Sequence, residues 1–217
     1  MSSNRVYEGA QDMPAALPLF PLVKALLLPR GELPLNVFEP RYLAMIDDAL
    51  KGERLIGMIQ PDLEKGDALF HVGCAGRLTQ FAETGDGRYL VTLTGVARFR
   101  LLRELDAGTP YRQAEVDYAP FGVDFIARAG EDLVDREGLL STLRSFASTN
   151  GLQLDWDSID EAPNEALVNA LSMMSPFGVR EKQALLEAAD LKGRADVLVA
   201  ITEIELARGG EAKTTLQ

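Results

Sequence analysis

The sequence predicts an α+β fold in which strands come first and helices follow. Segments with the two-residue apolar period of β-strands fill the first half of the chain. Stripes at helical spacing fill the second half, and the change falls near Pro120 to Val123. Strands and helices that are segregated along a chain are typical of α+β proteins. We therefore predict two parts, a strand-rich part over residues 15–120 and a helical part over residues 121–208.

The first strands follow a lead-in over residues 1–14 that we expect to be loosely structured. The next segment is apolar but broken by prolines, namely Pro18, Pro21 and Pro29. Proline lacks the N–H that a central strand donates, so we predict an edge strand or a bent strand here. A second strand is indicated where apolar residues alternate with Pro34 and Asn36; these apolar residues are Leu33, Leu35 and Val37.

A helix should begin at Pro40, because proline suits the first helical turn, where its missing N–H would have no partner. One apolar stripe supports the helix, formed by Tyr42, Met45, Ile46, Ala49 and Leu50. Gly52 is a natural place for the helix to end.

Strands resume after this helix, beginning with the short apolar run from Leu55 to Ile59. Residues 69–82 and 88–105 flank Thr84-Gly85-Asp86-Gly87, whose glycines and aspartate suit a tight turn, so we predict a β-hairpin. A last strand is predicted over residues 111–118.

The helical part contains apolar stripes separated by Gly and Pro. One stripe comprises Leu139, Leu140, Leu143, Phe146 and Ala147, and a second comprises Leu167, Val168, Leu171 and Met174. Two further helices are predicted around Leu185 and Leu186 and around Val197, Leu198, Ile201 and Ile204. The acidic stretch Asp155 to Glu161 is interpreted as a solvated loop.

The net charge of -11 is concentrated in the second half, where residues 121–217 carry 9 Lys and Arg against 17 Asp and Glu. Such a chain repels polyphosphate, so nucleic-acid binding is not expected. Arg98, Arg100 and Arg103 form the one notable basic cluster. We interpret it as a solvent-exposed face paired with carboxylates, and we keep an RNA contact as the alternative.

Sequence signals for catalysis or for a cofactor are weak. There is no Gly-Lys dipeptide, so a Walker A phosphate-binding loop is excluded. The single histidine, His71, sits in a strand pattern, and the single cysteine, Cys74, is expected to be a small core residue. We expect no metal, no cofactor and no enzymatic activity.

The absence of a long apolar run and of an internal disulfide bears on location. No stretch of about 18 apolar residues is present, and residues 1–12 are polar. One cysteine fits a reducing compartment. We expect a cytoplasmic protein with no membrane partner.

Several motifs together resemble the amino-terminal, substrate-binding domain of the Lon protease family. The densest are Pro18-Leu19-Phe20-Pro21-Leu22, the bend at Pro29-Arg30-Gly31, and Leu33 to Tyr42 with its Phe-Glu-Pro-Arg-Tyr ending. Val72 to Gly76, Tyr89 to Phe99 and Glu181 to Glu187 also match, so the resemblance spans residues 15–205.

The resemblance implies a PUA-like, partly open β-barrel with one packed helix, followed by a helical bundle. It also implies a non-catalytic module that binds protein or peptide ligands. The ATPase and Ser-Lys protease domains of full-length Lon enzymes are not expected within these 217 residues. A separate Lon or another ATPase is a candidate partner, and protein quality control is the expected setting.

The apolar residues of this amino-terminal segment are the candidate site for unfolded or exposed apolar segments of a ligand. We single out Leu19, Phe20, Leu35, Phe38 and Tyr42. They belong either to the core, which is the usual place for such side chains, or to a surface groove. Periodicity shows which face is apolar and not what covers it, so both interpretations stay open.

Overall fold

The computed structural model describes residues 6–214, with side chains described to residue 208. The strands are β1 (Ala16–Pro21), β2 (Glu32–Val37), β3 (Leu55–Ile59), β4 (Val72–Glu83), β5 (Tyr89–Leu105) and β6 (Gln113–Asp117). The α-helices are α1 (Pro40–Lys51), α2 (Arg136–Asn150), α3 (Trp156–Glu161), α4 (Asn164–Met174), α5 (Val179–Glu187) and α6 (Leu191–Thr214). Short 3-10 segments occupy Ala10–Asp12, Ala119–Phe125 and Glu131–Leu133. The first five residues of the predicted lead-in lie outside the described part.

One mixed sheet contains the six strands in the order β2-β5-β4-β3-β1-β6, and β6 also pairs with β5. The second half of β5 therefore rejoins the sheet through β6, while β2 pairs only with the first half of β5 and remains an edge strand. This arrangement confirms the predicted α+β fold with a partly open barrel.

Strand β1, for which the prolines predicted an edge strand or a bent strand, changes partner in its middle. Residues 16–18 run antiparallel to β6, and residues 19–21 run parallel to β3. Each half has one neighbouring strand, so Pro18 and Pro21 can be accommodated without breaking a central ladder.

Helix α1 begins at Pro40 and ends before Gly52, as the sequence predicts. Its buried face packs Tyr42, Met45 and Ile46 into the main hydrophobic cluster. The predicted hairpin is also confirmed: Thr84 N–H donates to the carbonyl of Arg88 across the turn.

The helical half differs from the prediction in the acidic stretch. Residues 156–161 form the short helix α3, because the Asp155 carboxylate caps it by accepting a hydrogen bond from Ser158 N–H at 3.2 Å. The prediction of a loop was therefore wrong over these residues.

The main hydrophobic cluster draws on both halves of the chain. It joins Phe20, Ile46 and Leu93 of the barrel to Val168 and Leu185 of the helices. A second cluster, which includes Leu19 and Phe99, fills the barrel interior. The two halves thus share one core, and the domain boundary at residue 120 stays a prediction.

Candidate binding groove between the barrel and helix α4

An open groove lies between helix α4 and the bend that leads into β2. Its volume is about 420 Å³. From the barrel side it is lined by Arg30, Gly31 and Glu32, and from the helical side by Arg128, Pro163, Glu165, Ala166, Asn169, Ala170, Met173 and Met174. We call this feature the α4 groove.

One wall of the α4 groove is apolar and uncovered. Ala166, Ala170, Met173 and Met174 recur at helical spacing along α4, so they share one side of the helix. Met174 is 83% exposed. Met173 packs against the backbone of Gly31, where an added Cβ would collide with the thioether sulfur. The Met173 side chain is thus held by its packing against Gly31, whereas the Met174 side chain is open to solvent.

The rim of the groove is polar, and most of its charges are paired. The Arg30 guanidinium donates to both carboxylate oxygens of Glu165, with an Nε–Oε2 distance of 3.0 Å. Glu165 also accepts a hydrogen bond from Arg128 N–H at 2.8 Å, and Arg128 forms an ion pair with Glu131. Glu32 is exposed and forms no ion pair with any described residue.

The floor of the groove is anchored by Asn169, a buried residue of α4. Its amide nitrogen donates to the carbonyl of Pro29 at 3.1 Å, and its amide oxygen accepts from Arg194 Nη1 at 3.2 Å. Arg194 in turn donates to the carbonyl of Leu185 at 3.0 Å. Burial and the nearby Arg98 charge lower the pKa of Arg194 to about 10. These bonds tie the bend before β2 to α4, α5 and α6.

A buried ion pair between Arg98 and Asp124, which we call the junction pair, is linked to the groove because Arg30 Nη1 donates to the Asp124 carbonyl at 2.6 Å. Arg98 is 1% exposed and donates to the Asp124 carboxylate through Nε at 2.9 Å and Nη2 at 2.8 Å. Its Nη1 also donates to the carbonyls of Leu186 and Ala188 at the end of α5. The junction pair therefore connects the barrel to the helical half.

The predicted solvent-exposed basic face is wrong for Arg98. The pairing with a carboxylate was expected, but the side chain is buried, because its partner Asp124 comes from the segment that folds over β5. Arg100 and Arg103 are exposed, and Arg103 is paired with Glu115 at 2.6 Å. The three arginines form no continuous positive surface, so the RNA alternative is not favoured.

Of the five apolar residues predicted as a candidate site, the structure leaves one well exposed. Leu19, Phe20 and Tyr42 are buried in the two hydrophobic clusters, and Leu35 is half-buried against the main one. Phe38 is 61% exposed and lies beneath the guanidinium of Arg88. Phe38 sits at the far end of β2 from the α4 groove, about 20 Å away at the usual rise per strand residue.

The residues of the α4 groove were missed because the sequence places Met174 in one apolar stripe with Leu167, Val168 and Leu171 and does not show which of them are covered. Helix α4 ends at Met174, and no neighbouring element covers that side chain. The sequence signal for the groove was the helical spacing of two small residues and a methionine, Ala166, Ala170 and Met173.

A second cavity of about 410 Å³ lies between α1 and the loop from β5 to β6, and Tyr42 lines it. Two of its polar contacts are fixed: Arg112 forms an ion pair with Glu104, and Tyr111 donates to Asp48 at 2.9 Å. Burial and this hydrogen bond raise the pKa of Tyr111 to about 12. The paired charges indicate a structural role for this region.

His71 and Cys74 form no site together. His71 is exposed, whereas Cys74 is buried, and burial raises the pKa of its thiol. Among the side chains that the structure describes, through residue 208, no group of three or more His, Cys, Asp and Glu is placed to hold a metal ion. None of the helices in this part of the chain is both long and apolar enough to span a membrane.

The fold is thus that of an α+β module in which a partly open barrel, with β2 at its edge, shares its core with a helical half. The sequence profile of the ATP-dependent protease La (LON) substrate-binding domain matches residues 16–203. The chain therefore belongs to the Lon substrate-binding domain family.

The chain is similar to the amino-terminal part of full-length Lon enzymes. It is 29% identical over 208 residues to a Lon protease of Anaeromyxobacter dehalogenans, covering 88% of this chain and 23% of that protein. It is 27% identical over 207 residues to a Lon protease of Dictyoglomus thermophilum, covering 88% and 24%. The chain thus spans about a quarter of the length of the curated relatives it matches.

Two solved structures share the fold. One is the Lon N-terminal domain protein of Xanthomonas campestris, with a TM-score of 0.61, 22% identity and coverage of 85% of this chain and 97% of that one. The other is the N-terminal domain of the Mycobacterium avium complex Lon protease, with a TM-score of 0.66, 18% identity and coverage of 87% and 98%.

Proposed function

We propose that this chain is a non-catalytic module that binds exposed apolar segments of unfolded polypeptides in the α4 groove. The observation that carries the proposal is the uncovered apolar wall that ends in Met174. A large apolar side chain left in water beside a concave surface is unfavourable unless another molecule covers it. Membership of a substrate-binding family supports a polypeptide as that molecule.

The chemistry of the groove suits many sequences rather than one. Methionine side chains are flexible and polarizable, so they adapt to differently shaped apolar partners. The volume of about 420 Å³ lies in the range of ligand-binding clefts and is enough for a few side chains of a client segment. Arg30 and Glu165 at the rim neutralise each other, so this pair favours neither an acidic nor a basic client.

The charge of the chain favours basic clients. A net charge of -11 attracts cationic segments at long range and speeds their association. Glu32, on the groove rim without an ion pair among the described residues, can contact a Lys or Arg beside the apolar anchor. We therefore propose apolar segments flanked by basic residues as preferred clients.

We also propose that a bound client is passed to a separate Lon or another ATPase, and that this takes place in the cytoplasm. About three quarters of the length of the named relatives lies outside the matched region. If the proposal holds, adding this chain should raise the rate at which a separate Lon degrades unfolded lysozyme. An unchanged rate would contradict this part.

The binding test uses reduced, carboxamidomethylated lysozyme, which is unfolded and basic, with native lysozyme as a control of equal side-chain charge. Fluorescence anisotropy should show binding of the unfolded form and little binding of the native form. Met174→Ser should weaken binding roughly fivefold to thirtyfold, as expected for a hot-spot residue.

The matched control is Leu63→Ser, which removes an apolar side chain that is 61% exposed on the loop between β3 and β4, outside the groove. It should bind like the unsubstituted protein. Equal losses in the two variants, or equal binding of native and unfolded lysozyme, would contradict the proposal.

A further inference from the structure

The thioether of Met174 is far more accessible than those of the other methionines that the structure describes. Met13, Met45 and Met58 are buried, and Met173 is half-buried against Gly31. Met174 is 83% exposed, at the last residue of α4. Because the rate of methionine oxidation follows exposure, Met174 should be more readily oxidised than the other described methionines.

We propose that Met174 is a modification site at which hydrogen peroxide controls client binding; this inference rests on the function proposed above. The sulfur lone pair attacks one peroxide oxygen, an S–O bond forms and the O–O bond breaks. The hydroxyl group now on sulfur gives its proton to the departing hydroxide, which forms water. The thioether is thus oxidised by two electrons to a sulfoxide, and the peroxide is reduced to water. A thiol-dependent methionine sulfoxide reductase reverses the step.

Oxidation would place a strongly polar oxygen on the apolar wall of the groove. The guanidinium groups of Arg30 and Arg128, the cations that line the groove, already form ion pairs with Glu165 and Glu131. An apolar client that covers Met174 would then have to remove water from the sulfoxide oxygen, which opposes binding.

Other residues hold the end of α4, where Met174 lies. Oxidation of Met174 should therefore change the polarity of the groove surface and leave the fold intact. The buried ammonium of Lys182 donates to the carbonyls of Ser172 at 3.1 Å and Met173 at 2.5 Å. This anchors the last turn of α4 without any contribution from the Met174 side chain. The melting temperature should therefore stay the same after oxidation.

The first measurement is a time course of peroxide treatment followed by peptide mass spectrometry. Met174 should be the first of the described methionines to gain an oxygen, ahead of Met173 and well ahead of Met13, Met45 and Met58. Oxidation of Met173 at the same rate, or of any buried methionine before Met174, would overturn the assignment.

The second measurement is the affinity for reduced, carboxamidomethylated lysozyme before and after peroxide, and again after reductase treatment. The oxidised protein should bind roughly fivefold to thirtyfold more weakly, and the reductase should restore the original affinity. The Met174→Leu variant is measured before and after peroxide treatment, and its affinity for the same client should not change between the two measurements.

The outcomes separate the two proposals. If the untreated protein binds the client and oxidation at Met174 leaves its affinity unchanged, the redox inference fails and the binding function stands. If Met174→Leu loses affinity on peroxide treatment as the unsubstituted protein does, another residue is responsible and the inference also fails. If the untreated protein does not bind unfolded lysozyme, both proposals fail.

Discussion

The two sides of helix α4 differ in a way that a hydrophobic pattern does not show. The inner side buries Leu167 and Val168 in the core but also carries the buried amide of Asn169. The outer side carries only small or apolar residues at Ala170 and Met174, and it is open to solvent. The buried junction pair and Asn169 are thus polar, while the uncovered wall of the groove is apolar. Polarity therefore marks the structural contacts here, and exposed apolar surface marks the candidate site.

Breaking the junction pair should have the largest effect, a loss of folding stability. Arg98→Met leaves the Asp124 carboxylate buried without its partner and the α5 carbonyls without a donor. We expect the free energy of unfolding to fall by about 3–5 kcal/mol. Urea denaturation measures it.

Arg103→Met is the matched control for the junction pair, because Arg103 forms its ion pair with Glu115 in solvent. Its cost should be about 1 kcal/mol or less. A loss at Arg98 as small as the loss at Arg103 would show that the junction does not hold the two halves together.

Lys182, which anchors the end of α4, should make stability depend on pH. Burial lowers the pKa of its ammonium from 10.5 to about 8. Between these two values the unfolded chain holds the proton and the folded chain does not. The free energy of unfolding should therefore rise with pH, by about 1–2 kcal/mol from pH 8 to about pH 9.5.

Lys182→Met removes this rise, and urea denaturation at several pH values measures the difference between the two proteins. The buried thiol of Cys74 has a raised pKa and acts in the opposite direction, lowering stability as pH rises above about 9. Cys74 is common to both proteins, so their difference isolates Lys182. Parallel pH profiles would rule out the buried ammonium as the cause.

Glu32 should contribute a small, salt-dependent share of client affinity. Glu32→Gln removes an exposed carboxylate at the groove rim and should weaken binding of unfolded, basic lysozyme roughly twofold to threefold. Anisotropy at low and high salt checks this, because screening should remove the difference. A loss that persists in high salt would point to a role other than charge attraction.

Phe38 should have the smallest effect, although it is the most exposed of the five apolar residues that the sequence singled out. Phe38→Ser lies at the opposite end of β2 from the groove, so affinity should change by less than about twofold. Anisotropy with the same client measures it. A loss as large as that of Met174→Ser would move the candidate site to the barrel.

The sequence predicted elements whose signals are local. Pro40 and Gly52 mark the ends of α1, and Thr84 to Gly87 mark the hairpin, because each depends on a few adjacent residues. The burial of Arg98 was not predictable in this way, since it depends on Asp124, a partner 26 residues away. The exposure of Met174 was not predictable either, because helical periodicity gives its side of the helix and cannot show whether a neighbouring element covers it.

The most direct test of the α4 groove is hydrogen–deuterium exchange of the full chain with and without reduced, carboxamidomethylated lysozyme. We predict slower exchange on binding at residues 29–32 and 163–174, the two segments that line the groove, with little change around Phe38. Slower exchange confined to the barrel surface near Phe38, or no change at residues 163–174 at saturating client, would contradict the account.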